Sequence, residues 1–384
     1  MTDLYFDREQ TKAKHFILRS YLQALAFKVL RYYSITYIDG FSGPWQTRTE
    51  DFSDSSFMIA ISVLKEAQRT INFQTQRRSR VRCFFSESNP QAYRQLASAV
   101  APYNTPQDGF EIETCCSEFE DAIPKIASTL GDTFPLIFID PTGWTGYSFE
   151  RVAPLFDRPK CEVLINFMYD FVNRAASMSD AKTVASLDPI LGGSGWESRL
   201  DPTLPRGLAA EQLFRRTLST TGKFPFVVST KIDRSTADRP HFFIVYGTKS
   251  RDGLKEFREV EYNALRVNAR DRAAAKERKR ESRSGSPDLF AGLYANLQEN
   301  TIDHIVEEQK ELASEYLISA LRDCRPRQFA AIWEIILRAY MLRVTNVKDI
   351  CVELAKRGII ENTWGTGNRK PTDKSQIVLK TCSQ

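Results

Sequence analysis

Five short apolar runs recur along the first part of the chain, and helical spacing fills the gaps between them. The runs are "SITYID", "VRCFFSE", "FEIET", "FPLIFID" and "CEVLINFM", all within residues 34–168. They are short and rich in β-branched and aromatic residues, which predicts strands. Between them, "SFMIAISVLKEA", "NPQAYRQLASAVAPY" and "CCSEFEDAIPKIA" carry apolar residues at helical spacing, as does the stretch from Thr11 to Leu30. Buried strands alternating with helices predict a parallel sheet covered on both faces. Two further runs, "FPFVVSTKI" and "HFFIVYGT", flank the polar turn "DRSTADRP". They predict a hairpin, so the sheet should end in an antiparallel pair.

At 384 residues the chain is long enough for about two domains. We expect a Rossmann-like α/β domain over 1–250, with a helical insert near 175–215. A basic helical linker over 251–325 and a winged-helix-like domain over 326–384 should follow. The second part reads as helix ("QFAAIWEIILRAYM"), helix ("TNVKDICVELAKRGII", with Thr345 as a possible N-cap), then two short strands in "ENTWGTGNRKPTDKSQIVLK". Winged helices bind nucleic acid or proteins. From Arg266 to Arg283 eight Lys/Arg face three Asp/Glu, an excess equal to the +5 of the whole chain. Such a block is either an electrostatic footprint for nucleic acid or a solvated helix face; with "SRSGSPD" after it, it also reads as a mobile linker. No apolar run is long enough for a membrane span, and the N-terminus has no signal-peptide core. The seven cysteines contain no CxxC pair, and there are three histidines. We therefore expect no disulfide framework and no metal site, in a cytoplasmic protein with reduced thiols.

The strand ends carry the chemistry. Asp39, Glu87, Glu118 and Asp140 fall at or just after the ends of the first four predicted strands. Ligands of open α/β sheets lie beyond those ends. Five parallel strands and a terminal hairpin resemble the class I S-adenosylmethionine-dependent methyltransferases. On that topology Gly40 and Gly43 of "YIDGFSGPW" would let the backbone approach the cofactor. Asp39 would attract its ammonium, Glu87 would hold the ribose hydroxyls, and Glu118 would accept from the adenine amine. The alternative makes these acids helix N-caps and the glycine turn an ordinary βα connection.

"IDPTGW", Ile139 to Trp144, resembles the Asp-Pro-Pro-aromatic loop of amino methyltransferases acting on nucleobases, and the Asp-Pro-x-Gly loop of guanine-N2 transfer-RNA methyltransferases. Asp140 would orient the exocyclic amine, Pro141 would keep the loop rigid, and Trp144 would stack on the base. A turn with a packed tryptophan is the plainer reading. Trp45 and the stretch from Asn166 to Arg174 would line the same cleft, although Asp170 and Arg174, four apart on a predicted helix, equally suit a simple salt bridge. His15 is either a base beside the cleft or a core-edge histidine.

"KHFILRSYL", "YIDGFSGP", "FFSESNP", "FIDPTGW" and "CEVLINFMYDFVNR" together resemble the three-Cys-motif partner proteins, over about residues 11–250 plus the C-terminal helices. The resemblance implies a class I methyltransferase fold and a neighbouring radical-SAM-like protein that carries the three cysteines, often on mobile elements. This chain has Trp45 where the family usually has glycine and Thr142 where it has Phe or Tyr. Asp39 and Glu87 are 48 residues apart, against roughly 20 in dinucleotide-binding units. Two functions are therefore expected in competition, with a methyltransferase for a small molecule or a protein as a third reading. One is a methyltransferase for an exocyclic amine of a DNA or RNA base, with S-adenosylmethionine as cofactor. The other is a non-catalytic scaffold that docks the three-cysteine protein.

Overall fold

The computed structural model describes residues 5–44, 47–178, 180–284, 293–323, 325–365 and 369–380. Trp45 lies outside the described residues, as does part of the Gly-rich stretch before Lys370. The chain divides into two compact units, Met1–Gly253 and Leu254–Gln384.

The first unit alternates α1 (Glu9–Val29), β1 (Ile35–Asp39), α2 (Ser56–Thr75), β2 (Val81–Ser86), α3 (Pro90–Val100), β3 (Phe110–Cys115), α4 (Phe119–Thr129), β4 (Phe134–Ile139), α5 (Phe149–Phe156) and β5 (Glu162–Phe167). The insert follows as α6 (Tyr169–Ala176), α7 (Ala181–Ala185), α8 (Asp188–Leu191) and α9 (Arg206–Gly222), and then comes the hairpin β6 (Phe226–Asp233) and β7 (Pro240–Thr248). The seven strands form one sheet in the order β3-β2-β1-β4-β5-β7-β6. β1 to β5 are parallel, while β7 runs antiparallel to both β5 and β6. The result is a Rossmann-like, mostly parallel sheet flanked by helices.

Burial follows sheet position. Every residue of β1, β4 and β5 is buried, as central strands covered on both faces require. The edge strand β6 alternates buried and accessible residues, so only one of its faces meets the core. On one face Ile38, Ile137, Ile139, Ile165 and Phe167 join Ile123 of α4, Phe156 of α5 and Phe214 of α9 in a single cluster. The alternate residues of β5 turn to the other face, where α1 packs. There Glu162 accepts from Tyr21 Oη at 2.5 Å and from Thr248 Oγ1 at 2.8 Å. Burial pushes its carboxyl above the usual range. The loops into the helices are capped locally. Ser55 Oγ accepts from Met58 N, and Asn89 Oδ1 accepts from Gln91 N and Ala92 N. Each cap stabilises its helix by about 1 kcal/mol.

The second unit holds most of α10 (Arg251–Ser284), then α11 (Leu293–Ala320), β8 (Arg327–Gln328), α12 (Phe329–Ala339), α13 (Val344–Lys356) and β9 (Gln376–Ile377). The basic block is helical, within the 34 residues of α10; the residues of "SRSGSPD" from 285 onward lie outside the described residues. Phe329, Ile332, Trp333 and Ile336 of α12 are buried, as are Val347, Ile350, Cys351 and Leu354 of α13. The Arg258 guanidinium of α10 donates to Leu337 O in the last turn of α12 at 2.7 and 2.9 Å, satisfying a helix-end carbonyl. Two local expectations change. The N-cap of α13 is Arg343, whose N–H donates to Asn346 Oδ1 at 2.9 Å, while Thr345 sits inside the helix. β9 pairs with β8, which precedes α12, and among the described residues the rest of the segment after α13 makes one isolated bridge, Ile360 to Leu379. Among the described residues no helix is long and apolar enough to cross a membrane.

Candidate functional site

The strand order of the first unit reverses between β1 and β4, and ligands of open α/β sheets lie beyond the carboxyl ends of the strands at such a reversal. A cavity of about 430 Å³ lies there, inside the range of about 300–1,000 Å³ typical of small-molecule sites. Its walls come from Arg8, Lys14 and His15 around the first turns of α1, Phe41 and Gly43 after β1, and Ser55 and Ser56 before and at the start of α2. Asp54 before α2, Asp140 and Pro141 after β4, Asn166 and Met168, Phe171 of α6 and His241 of β7 also line it. Two larger hollows, of about 750 and 730 Å³, contain none of the site residues expected from sequence.

Asp140 is bonded on both carboxylate oxygens. Ile139 of β4 pairs with Ile165 of β5, so Asp140, the first residue past β4, stands beside Asn166, which stays in the sheet opposite Ile244 of β7. Asn166 Nδ2 donates to Asp140 Oδ1 at 2.7 Å, and Lys14 Nζ donates to Asp140 Oδ2 at 2.5 Å. The two charged side chains are only 14% and 15% exposed, so this is a charge-assisted bond in a mostly dry setting. Asn166 is 3% exposed, and its Oδ1 has no hydrogen-bond partner. A buried acceptor left unpaired costs about 1–3 kcal/mol, and a ligand N–H would remove that cost. Pro141 is buried in the wall. Trp144 is elsewhere: its Nε1 donates to Ser186 Oγ at 2.8 Å, and its ring lies 6.3 Å from that of Phe171. It does not line the cavity, so the expectation that it stacks on a base gives way to an anchor for the insert.

The residues expected to hold a cofactor do not gather around this cavity; of the five, Gly43 alone lines it. Asp39 is fully buried, with Oδ1 accepting from Phe41 N at 3.1 Å and Oδ2 from Ser56 Oγ at 2.8 Å. It organises the turn and is not presented to an ammonium. Burial raises its carboxyl from 3.8 to about 6, against the lowering effect of those hydrogen bonds. A Cβ on Gly40 would lie 2.5 Å from the Phe119 ring. That glycine is demanded by packing against α4 rather than by a ligand. Glu87 is buried past the end of β2, with Oε1 accepting from Asn89 N at 2.7 Å. Glu118 is exposed at the N-cap of α4, where its side chain makes no capping bond.

Sequence reasoning missed one cluster. His241 Nδ1 lies 2.8 Å from Asp170 Oδ2, and Arg234 forms an ion pair with the same oxygen. Because β7 is antiparallel, with Phe243 opposite Phe167, the start of β7 meets the chain leaving β5 into α6. The pair is 71 residues apart in sequence, and only the hairpin prediction pointed to their meeting. The expected Asp170–Arg174 salt bridge is absent: Arg174 Nε donates to the Asp170 carbonyl oxygen at 3.2 Å. His15 also lines the cavity, with Nδ1 3.1 Å from Tyr5 Oη. Burial, reinforced by Lys14, Arg8 and Arg19, holds its pKa well below the ordinary value, so it stays neutral. Among the described residues no group of three or more His, Cys, Asp or Glu could hold a metal ion.

Two groups of the cavity have bonding capacity to spare. Lys14 carries three donors and uses one on Asp140, which leaves it able to meet a carboxylate. The unpaired Oδ1 of Asn166 is suited to an ammonium. No protein-family model matches the sequence, and no curated protein matches it either.

Proposed function

We propose that the chain is an S-adenosylmethionine-dependent methyltransferase of class I architecture that acts on an exocyclic amine of a nucleic-acid base. The observation that carries this reading is the sheet order, which sets Asp140 and Pro141 at the reversal point beside an unpaired buried acceptor. When bound, the cofactor would supply an electrophilic methyl group. Lys14 would pair with its carboxylate. Asn166 Oδ1 would take a donor from the cofactor ammonium or from the amine being methylated. Asp140, keeping its bond to Lys14, would orient the acceptor amine through a remaining lone pair. The helix pair α12 and α13 with the β8–β9 sheet reads as a winged helix, which with the basic turns of α10 would contact the nucleic-acid backbone.

One observation favours a second reading, a methyltransferase-like scaffold for a three-cysteine radical-SAM-like protein. Both oxygens of Asp39 and both of Asp140 are occupied within the chain. Transfer of label from S-adenosylmethionine carrying a tritiated methyl group onto DNA and RNA separates the two. Incorporation by the wild type that falls at least 100-fold in Asp140→Asn supports the enzyme. Equal incorporation by both proteins refutes the role of Asp140, and none by either favours the scaffold.

A further inference from the structure

The Asp170–His241–Arg234 cluster stands beside the cavity and has no part in the reading above, on which the present one rests for its substrate class. Its hydrogen-bond logic is constrained. Asp170 is held by Arg234 and has only lone pairs to offer, so it must accept from His241 Nδ1. A neutral imidazole whose Nδ1 carries the proton has a bare Nε2. His241 lines the cavity and Asp170 does not, so the carboxylate takes one ring nitrogen and the other is left for the pocket. An imidazole oriented by a carboxylate in this way is the arrangement of a base.

We propose that His241 is the proton-accepting group of this cavity, held in the Nδ1–H form by Asp170 so that Nε2 receives a proton from the nitrogen of a bound amine. The step is a proton transfer. The nitrogen, made cationic by gaining the methyl group, gives up a proton: its N–H bond breaks, the electron pair stays on the nitrogen of the now neutral methylamine, and a new N–H bond forms at Nε2. Asp170 is a positioning residue that stabilises the imidazolium, and Arg234 moderates that effect. The other charged or titratable groups lining the cavity are Arg8, Lys14 and His15 from α1 and the residue before it, Asp54 before α2, and Asp140 after β4. Asp140 and Lys14 form one pair, and Asp54 and Arg8 another at 3.5 Å, so the charge nearest the imidazole from its own packing partners is that of Asp170 with Arg234.

The test is ¹⁵N nuclear magnetic resonance of the imidazole rings in the full chain. The three rings, His15, His241 and His304, are assigned with single His→Gln variants. The proposal expects the neutral His241 ring with Nδ1 protonated and Nε2 bare. It expects Asp170→Ala, which removes the acceptor of Nδ1–H, to let the Nε2–H tautomer appear. The wild-type spectrum alone decides the tautomer if Asp170→Ala does not fold. An Nε2–H ring in the wild type, or a tautomer unchanged in a folded Asp170→Ala, overturns the proposal. The measurement needs no cofactor. If S-adenosylmethionine then gives no binding, the methyltransferase reading fails while the assignment of His241 as the proton acceptor stands.

Discussion

Replacing Asp39 by asparagine should make the protein more stable at neutral pH and change little in acid. Asp39 is fully buried, and desolvation is the largest influence on it, raising its carboxyl from 3.8 to about 6. At about 1.36 kcal/mol per pH unit, holding the ionised form in the fold costs about 3 kcal/mol. The sign follows from linkage. A carboxyl whose folded pKa is raised contributes stability fully present below about pH 3.8. That contribution is lost as pH rises through about 6. Asparagine has no such dependence, and it keeps the local bonds: its Oδ1 can accept from Phe41 N while its Nδ2 donates to Ser56 Oγ. Urea unfolding at pH 4.5 and pH 8, followed by far-ultraviolet circular dichroism, measures the difference. The variant should gain roughly 2–3 kcal/mol over the wild type at pH 8 relative to pH 4.5. An advantage independent of pH, or a variant that is less stable at pH 8, would show that the buried carboxylate is not held at a cost in this turn.

Other consequences are as specific. Gly40→Ala would set a methyl group 2.5 Å from the Phe119 ring; thermal unfolding should show a loss of about 1–3 kcal/mol, the usual penalty for overpacking. An unchanged midpoint would mean that the ring yields freely. Trp144→Phe deletes the Nε1 bond to Ser186 and should cost about 1 kcal/mol with little effect on cofactor affinity. A large loss of affinity would return Trp144 to the site. If α10 tracks a phosphate backbone, binding of a DNA or RNA duplex should weaken steeply with salt, and Arg278→Gln with Arg280→Gln should lower the slope by about 1–2. A salt-independent affinity would point to a protein partner.

How much of this was legible in the sequence depends on the range of the interaction. The strands could be read because each is a local apolar run, and the terminal hairpin because its turn is short and polar. Asp140 could be read because it ends a buried strand, which is a local property. The site as a whole could not. Lys14 meets Asp140 across 126 residues, and that contact depends on which sheet face α1 covers. Gly40 looked like a ligand-facing glycine, since nothing in the sequence says that Phe119 fills the space above it. Glu118 was indistinguishable from an adenine ligand until α4 placed it at an exposed N-cap. Trp144 was drawn away from the cavity by Ser186, on an insert that the sequence marks only as helical. Asp170 and His241 were readable only jointly, through the antiparallel direction of β7.

Calorimetric titration of the full chain with S-adenosylhomocysteine, beside Lys14→Met, tests the central claim most directly. The methyltransferase account predicts binding with a dissociation constant of about micromolar order, weakened at least about tenfold in the variant, which is a loss of about 1.4 kcal/mol. No heat from a folded wild-type protein would contradict it and leave the scaffold reading in its place.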